Sequence, residues 1–139
     1  MALNLQLSNL AANAALIGPG VAVLCNGGFL RVYDGSQPPN ANTAVSTQNL
    51  LVTLNFNATA FSSPVNGVAT ANAIAGANGV YTSTATWFRI VKSDGVTVVL
   101  DGTVGTSGCD MNFANTAIIN GSPVSPPTTY TLSCVEAGS

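Results

Sequence analysis

From residue 29 onward, short apolar runs alternate with turn-forming residues, and that rhythm predicts strands. Phe29-Leu30-Arg31-Val32-Tyr33 reads as one strand, turned by Asp34-Gly35. Leu50 to Phe56 reads as the next. Asn66-Gly67 marks a turn before Val68 to Ile74, where Val68, Thr70, Asn72 and Ile74 alternate with alanine. Met111–Phe113, Ala117–Ile119 and Thr128–Val135 are further short strands. Polar or proline-rich loops, Ser36–Asn42 and Ser122–Pro127 among them, separate these runs. About seven to nine short antiparallel strands punctuated in this way predict an all-β sandwich or jelly-roll-like domain.

The sharpest local signal is Ala85–Lys92, which turns at Ser93-Asp94-Gly95 and returns through Val96–Leu100. Asp94-Gly95 between β-rich runs predicts a type I′ hairpin, in which both central residues take positive φ. That register sets Val91 opposite Val98, Ile90 opposite Val99, Arg89 opposite Leu100 and Phe88 opposite Asp101. Trp87, Val91, Val98 and Leu100 then share one face, and Phe88, Ile90 and Val99 the other. A sheet with one wet face alternates apolar with polar residues. This hairpin is therefore expected to be covered on both sides, by a second sheet and by either the N-terminal arm or a neighbouring subunit.

Upstream of residue 29 the pattern is helical. Ser8 predicts an N-cap for the Ala/Leu-rich run Asn9–Ile17, with Leu10, Ala14 and Ile17 on one face. Gly18-Pro19-Gly20 interrupts it. Pro19 opens a second helical turn through Val21–Leu24, which Asn26-Gly27-Gly28 ends. The chain thus divides into an N-terminal helical arm, residues 1–28, and a β-sandwich domain, residues 29–139. The longest apolar stretch, Ala11 to Leu24, contains Asn13 and the Gly-Pro-Gly break. It falls short of the roughly 18–20 apolar residues of a membrane-spanning helix. Met1–Gln6 lacks the positive start of a secretory signal.

Charge changes this picture most. Of 139 residues only 6% are charged, with three Lys+Arg, five Asp+Glu and no histidine, while 47% are hydrophobic. Ordinary domains are about 25% charged. Charge is what usually keeps a monomer's surface soluble, so much of this surface is expected to meet other protein. A net charge of −2, with Arg31, Arg89 and Lys92 as the only cations, excludes nucleic acid and anionic membranes as expected partners.

The same scarcity removes the apparatus of catalysis. No histidine activates Ser107 or Ser133, and Lys92 sits at a hairpin end. Asp34, Asp94 and Asp101 each precede glycine and read as turn residues. Gly105-Thr106-Ser107-Gly108 lacks the lysine of a phosphate loop. Cys25, Cys109 and Cys134 form no C-x-x-C pair and have no histidine to complete a zinc set. They read as reduced, mostly buried thiols, with a single disulfide within or between chains as the alternative. No enzyme activity, cofactor, metal or small-molecule substrate is expected. Trp87 reads as core rather than as a platform for a sugar. Arg89 shares its face, where an arginine stacks on the aromatic, pairs with a carboxylate, or snorkels at the sheet margin. Arg89, Trp87 and Arg31 are the candidate assembly contacts, with Arg89 as an inter-subunit anchor.

Several segments carry a family resemblance. They are Leu30–Pro38, Leu50–Leu54, Asn66–Ile74, Ala85–Gly95 and Asp101–Gly108, and the tryptophan hairpin is the most specific of them. From about Ser8 to the final strand the chain resembles a family of small tailed-bacteriophage structural proteins, similar in size and blandness to head decoration (cement) proteins. It departs from that pattern in its three cysteines and its Gly-Pro-Gly break. The resemblance implies a virion protein assembled in the bacterial host cytoplasm, with the major capsid protein and copies of itself as partners. A capsid decoration role is the leading expectation. A tail, baseplate or head-closure component is the alternative, and a receptor- or carbohydrate-binding fibre module, using Trp87 or Tyr81, is a third.

Overall fold

The computed structural model describes residues 5–18, 20–127 and 129–133. Among them are twelve short strands and two helices. In chain order they are β1 (Gln6–Leu7), α1 (Asn9–Ile17), α2 (Val21–Leu24), β2 (Phe29–Tyr33), β3 (Leu50–Asn55), β4 (Val68–Thr70), β5 (Ala77–Asn78) and β6 (Ser83–Thr84), then β7 (Trp87–Val91), β8 (Val98–Gly105), β9 (Met111–Asn112), β10 (Ala117–Ile118), β11 (Pro123–Val124) and β12 (Thr131–Ser133). The main sheet runs β1-β8-β7-β2-β3, antiparallel throughout, and β9 adds to β8 in parallel. Three two-stranded ladders, β4–β12, β5–β11 and β6–β10, complete an all-β, sandwich-like fold.

The main sheet buries both faces within this one chain. On the first face, Leu54, Leu30, Ile90 and Leu100 form one row across β3, β2, β7 and β8. Val52, Val32, Phe88 and Gly102 form the next. These side chains meet Phe56, Phe61, Met111, Phe113 and Tyr130 in a single hydrophobic core, which Ala69, Ile118 and Val124 of the paired ladders also enter. Burial of this much apolar surface, at about 25 cal/mol per Å², is the main favourable term in folding.

A long loop, residues 34–49, covers the opposite face. Its neck is closed by Asn49 N–H donating to the Asp34 carboxylate at 2.6 Å. Trp87 Nε1 donates to the Asp34 carbonyl (2.9 Å) and Thr86 Oγ1 to the Gly35 carbonyl (2.6 Å). Asn42 exchanges two hydrogen bonds with Asn9 at the start of α1. Pro38 and Ala41 are buried residues of the strap itself. Covering on both sides was expected from the apolar hairpin, but the second cover is this Ω-like loop rather than a helical arm or another subunit.

The described residues between 5 and 28 are joined to the β body. Leu3, Leu5 and Leu7 alternate with Asn4 and Gln6, and the described part of that run is β1, which pairs with β8 at the sheet edge. Ser8 caps α1 by accepting from Ala11 N–H, as its position predicts. The helix buries Ala14 as expected, with Ala11 beside it, and leaves Leu10 exposed; the Ile17 side chain lies outside the described residues. Leu24 and Cys25 join the same core as the sheet. The expected role of Pro19 and the end of the final strand at Cys134-Val135 lie outside the described residues.

Turn chemistry is redistributed. Asn66 (φ 52°) and Gly67 (φ 77°) both take positive φ, and Val65 and Val68 exchange two backbone hydrogen bonds around them. The two-residue I′ geometry therefore sits at Asn66-Gly67. At Asp94-Gly95 only glycine has positive φ. That loop spans Lys92 to Thr97, closed by Lys92 N–H donating to the Thr97 carbonyl and by Val96 and Thr97 N–H donating to the Asp94 carboxylate. Asp101-Gly102, expected as a turn, lies inside β8. A Cβ on Gly102 would stand 2.6 Å from the Phe88 ring, so glycine is required there for close packing.

Two outcomes follow. Gly102→Ala must displace Phe88 from its edge-on contact with Tyr130. Overpacking of this kind costs about 1–3 kcal/mol, read as a lower urea midpoint with unchanged slope. The hydrogen bonds from Thr97 and Val96 hold the fully exposed Asp94 carboxyl down at about 2. Its contribution to loop stability is present above the ordinary carboxylate range and is lost as pH falls through about 2. The amide resonances of Val96 and Thr97 should titrate there, and a midpoint near 4 would contradict the assignment.

Candidate assembly surface

The hairpin register decides where the charged side chains go. Val91 lies opposite Val98 as expected, but Ile90 then pairs with Leu100, which leaves Val99 as an extra residue on β8. This bulge shifts every later pair by one. Arg89 therefore faces Asp101 instead of Leu100, and Phe88 faces Gly102 instead of Asp101. The same device recurs between β2 and β3, where Leu51 is the extra residue, and both extra side chains point into the core.

Arg89 and Asp101 make a two-pronged ion pair, Nε to Oδ1 at 2.7 Å and Nη2 to Oδ2 at 2.9 Å. Nη2 also donates to the Thr43 carbonyl of the strap at 2.7 Å. The guanidinium carbon lies 5.5 Å from the Trp87 ring centroid, and Trp87 stacks on Tyr33 at 4.5 Å. Asp101 is fully buried. Burial pushes its carboxyl up, and the two hydrogen bonds from Arg89 oppose that shift. Asp101 is thus a core anion and not a turn residue.

Of the three candidate contacts, Trp87 is 0% exposed and Arg89 5% exposed, so both side chains are engaged inside the chain and present nothing to a partner. Burial also keeps Trp87 from stacking on a sugar. Arg31 is half-buried, sits directly opposite Arg89 and donates to the Gly95 carbonyl at 2.8 Å. Like charges facing each other are unfavourable, and Asp101 completes the row that balances them. Asp110 accepts from Thr103 N–H and Oγ1, both at 2.9 Å. No group of three or more metal-ligating side chains occurs among the described residues. Cys25 is fully buried, and burial pushes its thiol up to about 12. Cys109 is buried beside Gly105, and Cys134 lies outside the described residues.

One surface feature is an apolar groove of about 680 Å³ between the N-terminal segment and the β4–β12 ladder. Leu5, Leu7, Val21, Val23, Phe61 and Leu132 are its large apolar lining residues, and among the described residues no charged side chain lines it. Val23 is 51% exposed and Leu5 44%. β1 and β12 flank it, each hydrogen-bonded to one strand, β8 and β4 respectively. The Leu5/Leu7 alternation was a visible signal for this wall. The groove itself brings together residues from both ends of the chain, which no local pattern shows.

Comparison with protein-family models, curated proteins and solved structures finds no match for this chain.

Removing Arg89 strands a buried carboxylate, and breaking such a pair costs about 3–5 kcal/mol. Arg89→Met should lose that much in urea unfolding. The double variant Arg89→Met with Asp101→Leu should recover most of it. A single variant within about 0.5 kcal/mol of the native chain would show that the pair has no structural role.

Proposed function

We propose that this chain is a non-catalytic structural component of a bacteriophage virion, a capsid decoration (cement) protein that binds the outer shell through neutral contacts and stabilises it. The observation that carries this reading is the apolar groove, which has no charged side chain among its described lining. A monomer with so few charges gains nothing from leaving Leu5, Val23 and Leu132 open to water, whereas a partner segment would bury them. Two short strands, β1 and β12, flank the groove, and an extended partner segment lying along them suits main-chain hydrogen bonding. Repetition over a lattice makes modest individual contacts sufficient. The resemblance of Ala85–Gly95 and its companion segments to tailed-phage structural proteins supplies the virion context.

With one cation locked to Asp101, ion pairs contribute little at the surface. Salt screens exposed charges and leaves apolar burial intact, while urea weakens it. The protein should therefore stay on purified particles in molar sodium chloride and be released by urea. Val23→Asp places a carboxylate on the groove wall at an exposed position, so folding is spared. Burying that unpaired charge against a partner costs several kcal/mol, and the variant should not be retained on particles. Release by salt alone, or normal retention of Val23→Asp, would overturn the assignment of the groove.

A further inference from the structure

The chain holds four Asn-Gly pairs: Asn26-Gly27, Asn66-Gly67, Asn78-Gly79 and Asn120-Gly121. In such a pair the glycine nitrogen, unhindered by a side chain, attacks the asparagine Cγ. The N–Cγ bond forms, the Cγ–Nδ2 bond breaks, and ammonia leaves with the displaced amide nitrogen and the backbone proton. Water then opens the succinimide at either carbonyl, giving aspartate or isoaspartate with no change of oxidation state. The reaction needs a glycine N–H that is not already engaged.

The fold sorts the four pairs on that criterion. Gly27 N–H donates to the Asn57 carbonyl at 3.0 Å, Gly79 N–H to Ser122 at 2.9 Å and Gly121 N–H to Gly79 at 2.8 Å. Asn26 is held further, since its Oδ1 accepts from Ala60 N–H at 2.8 Å. Gly67 differs. The bonds that close its turn belong to Val65 and Val68, and neither the Gly67 N–H nor the Asn66 amide has a hydrogen-bond partner among the described residues. Both residues are exposed at the hairpin tip.

We infer that Asn66-Gly67 is a spontaneous deamidation site, and that native structure protects the other three pairs. Gly67 lines the apolar groove. The product therefore places a carboxylate on its rim, a consequence for docking that rests on the reading above, although the modification does not.

The test incubates the full chain, native and in urea, in mildly alkaline buffer. Peptide mapping by mass spectrometry follows the amide-to-acid exchange, and isoaspartyl methyltransferase labelling detects isoaspartate. In the native chain, conversion at Asn66 should outpace each of the other three by at least about tenfold, since those must first open locally. In urea the four rates should converge. Conversion at Asn26, Asn78 or Asn120 that keeps pace with Asn66 in the native chain would overturn the proposal. So would an unchanged ranking in urea.

Discussion

Arg89 and Asp101 meet only because Val99 is looped out of the β7–β8 ladder. A charge pair removed from water is strongly unfavourable unless its geometry is good and its remaining hydrogen-bonding groups are satisfied. Here the fork of Arg89 takes both carboxylate oxygens, its third bond goes to the Thr43 carbonyl, and Trp87 lies against the guanidinium. The pair therefore holds three things at once: the register of the hairpin, the seating of the 34–49 strap, and the orientation of the Tyr33–Trp87 stack. A ladder without the bulge would set Arg89 against Leu100 and leave Asp101 beside Phe88, with both charges buried and unmatched.

The same pair shapes the exterior. A chain with three cations and five anions that buries one of each has little charge left to show. Its polar surface consists mainly of amides and hydroxyls. Many of these are engaged locally, as in the Asn9–Asn42 exchange and the Asp34–Asn49 neck. What distinguishes one patch from another is then apolar exposure, and the groove beside α2 is a concave patch of that kind. On the proposed function, charge scarcity and the groove belong together: recognition rests on shape and apolar burial, with the Arg89–Asp101 pair kept inside.

Local signals were legible wherever local physics decides. The Ser8 cap, the β2 and β3 runs and the pairing of the tryptophan hairpin follow from side-chain period and propensity. Most of what differed was decided by contacts distant in sequence, the Asp94 loop being the local exception. Asp101-Gly102 carries a turn signature, yet Gly102 is needed beneath the Phe88 ring and Asp101 opposite Arg89. The I′ turn formed at Asn66-Gly67, whereas Asp94 used its carboxylate to organise a longer loop. Trp87 lies in the core, as the two-sided apolar hairpin predicts, and Arg89 stacks on it and pairs with Asp101 inside the chain. The groove was hidden because its walls come from residues about 130 positions apart, such as Leu5 and Leu132.

The most direct measurement is a density map of assembled particles resolving this chain and its neighbours. The expected map has the groove between Leu5, Val23, Phe61 and Leu132 filled by a segment of another protein chain, with Trp87 and Arg89 internal and untouched. A map in which the groove opens to solvent while the protein is held elsewhere would contradict the account.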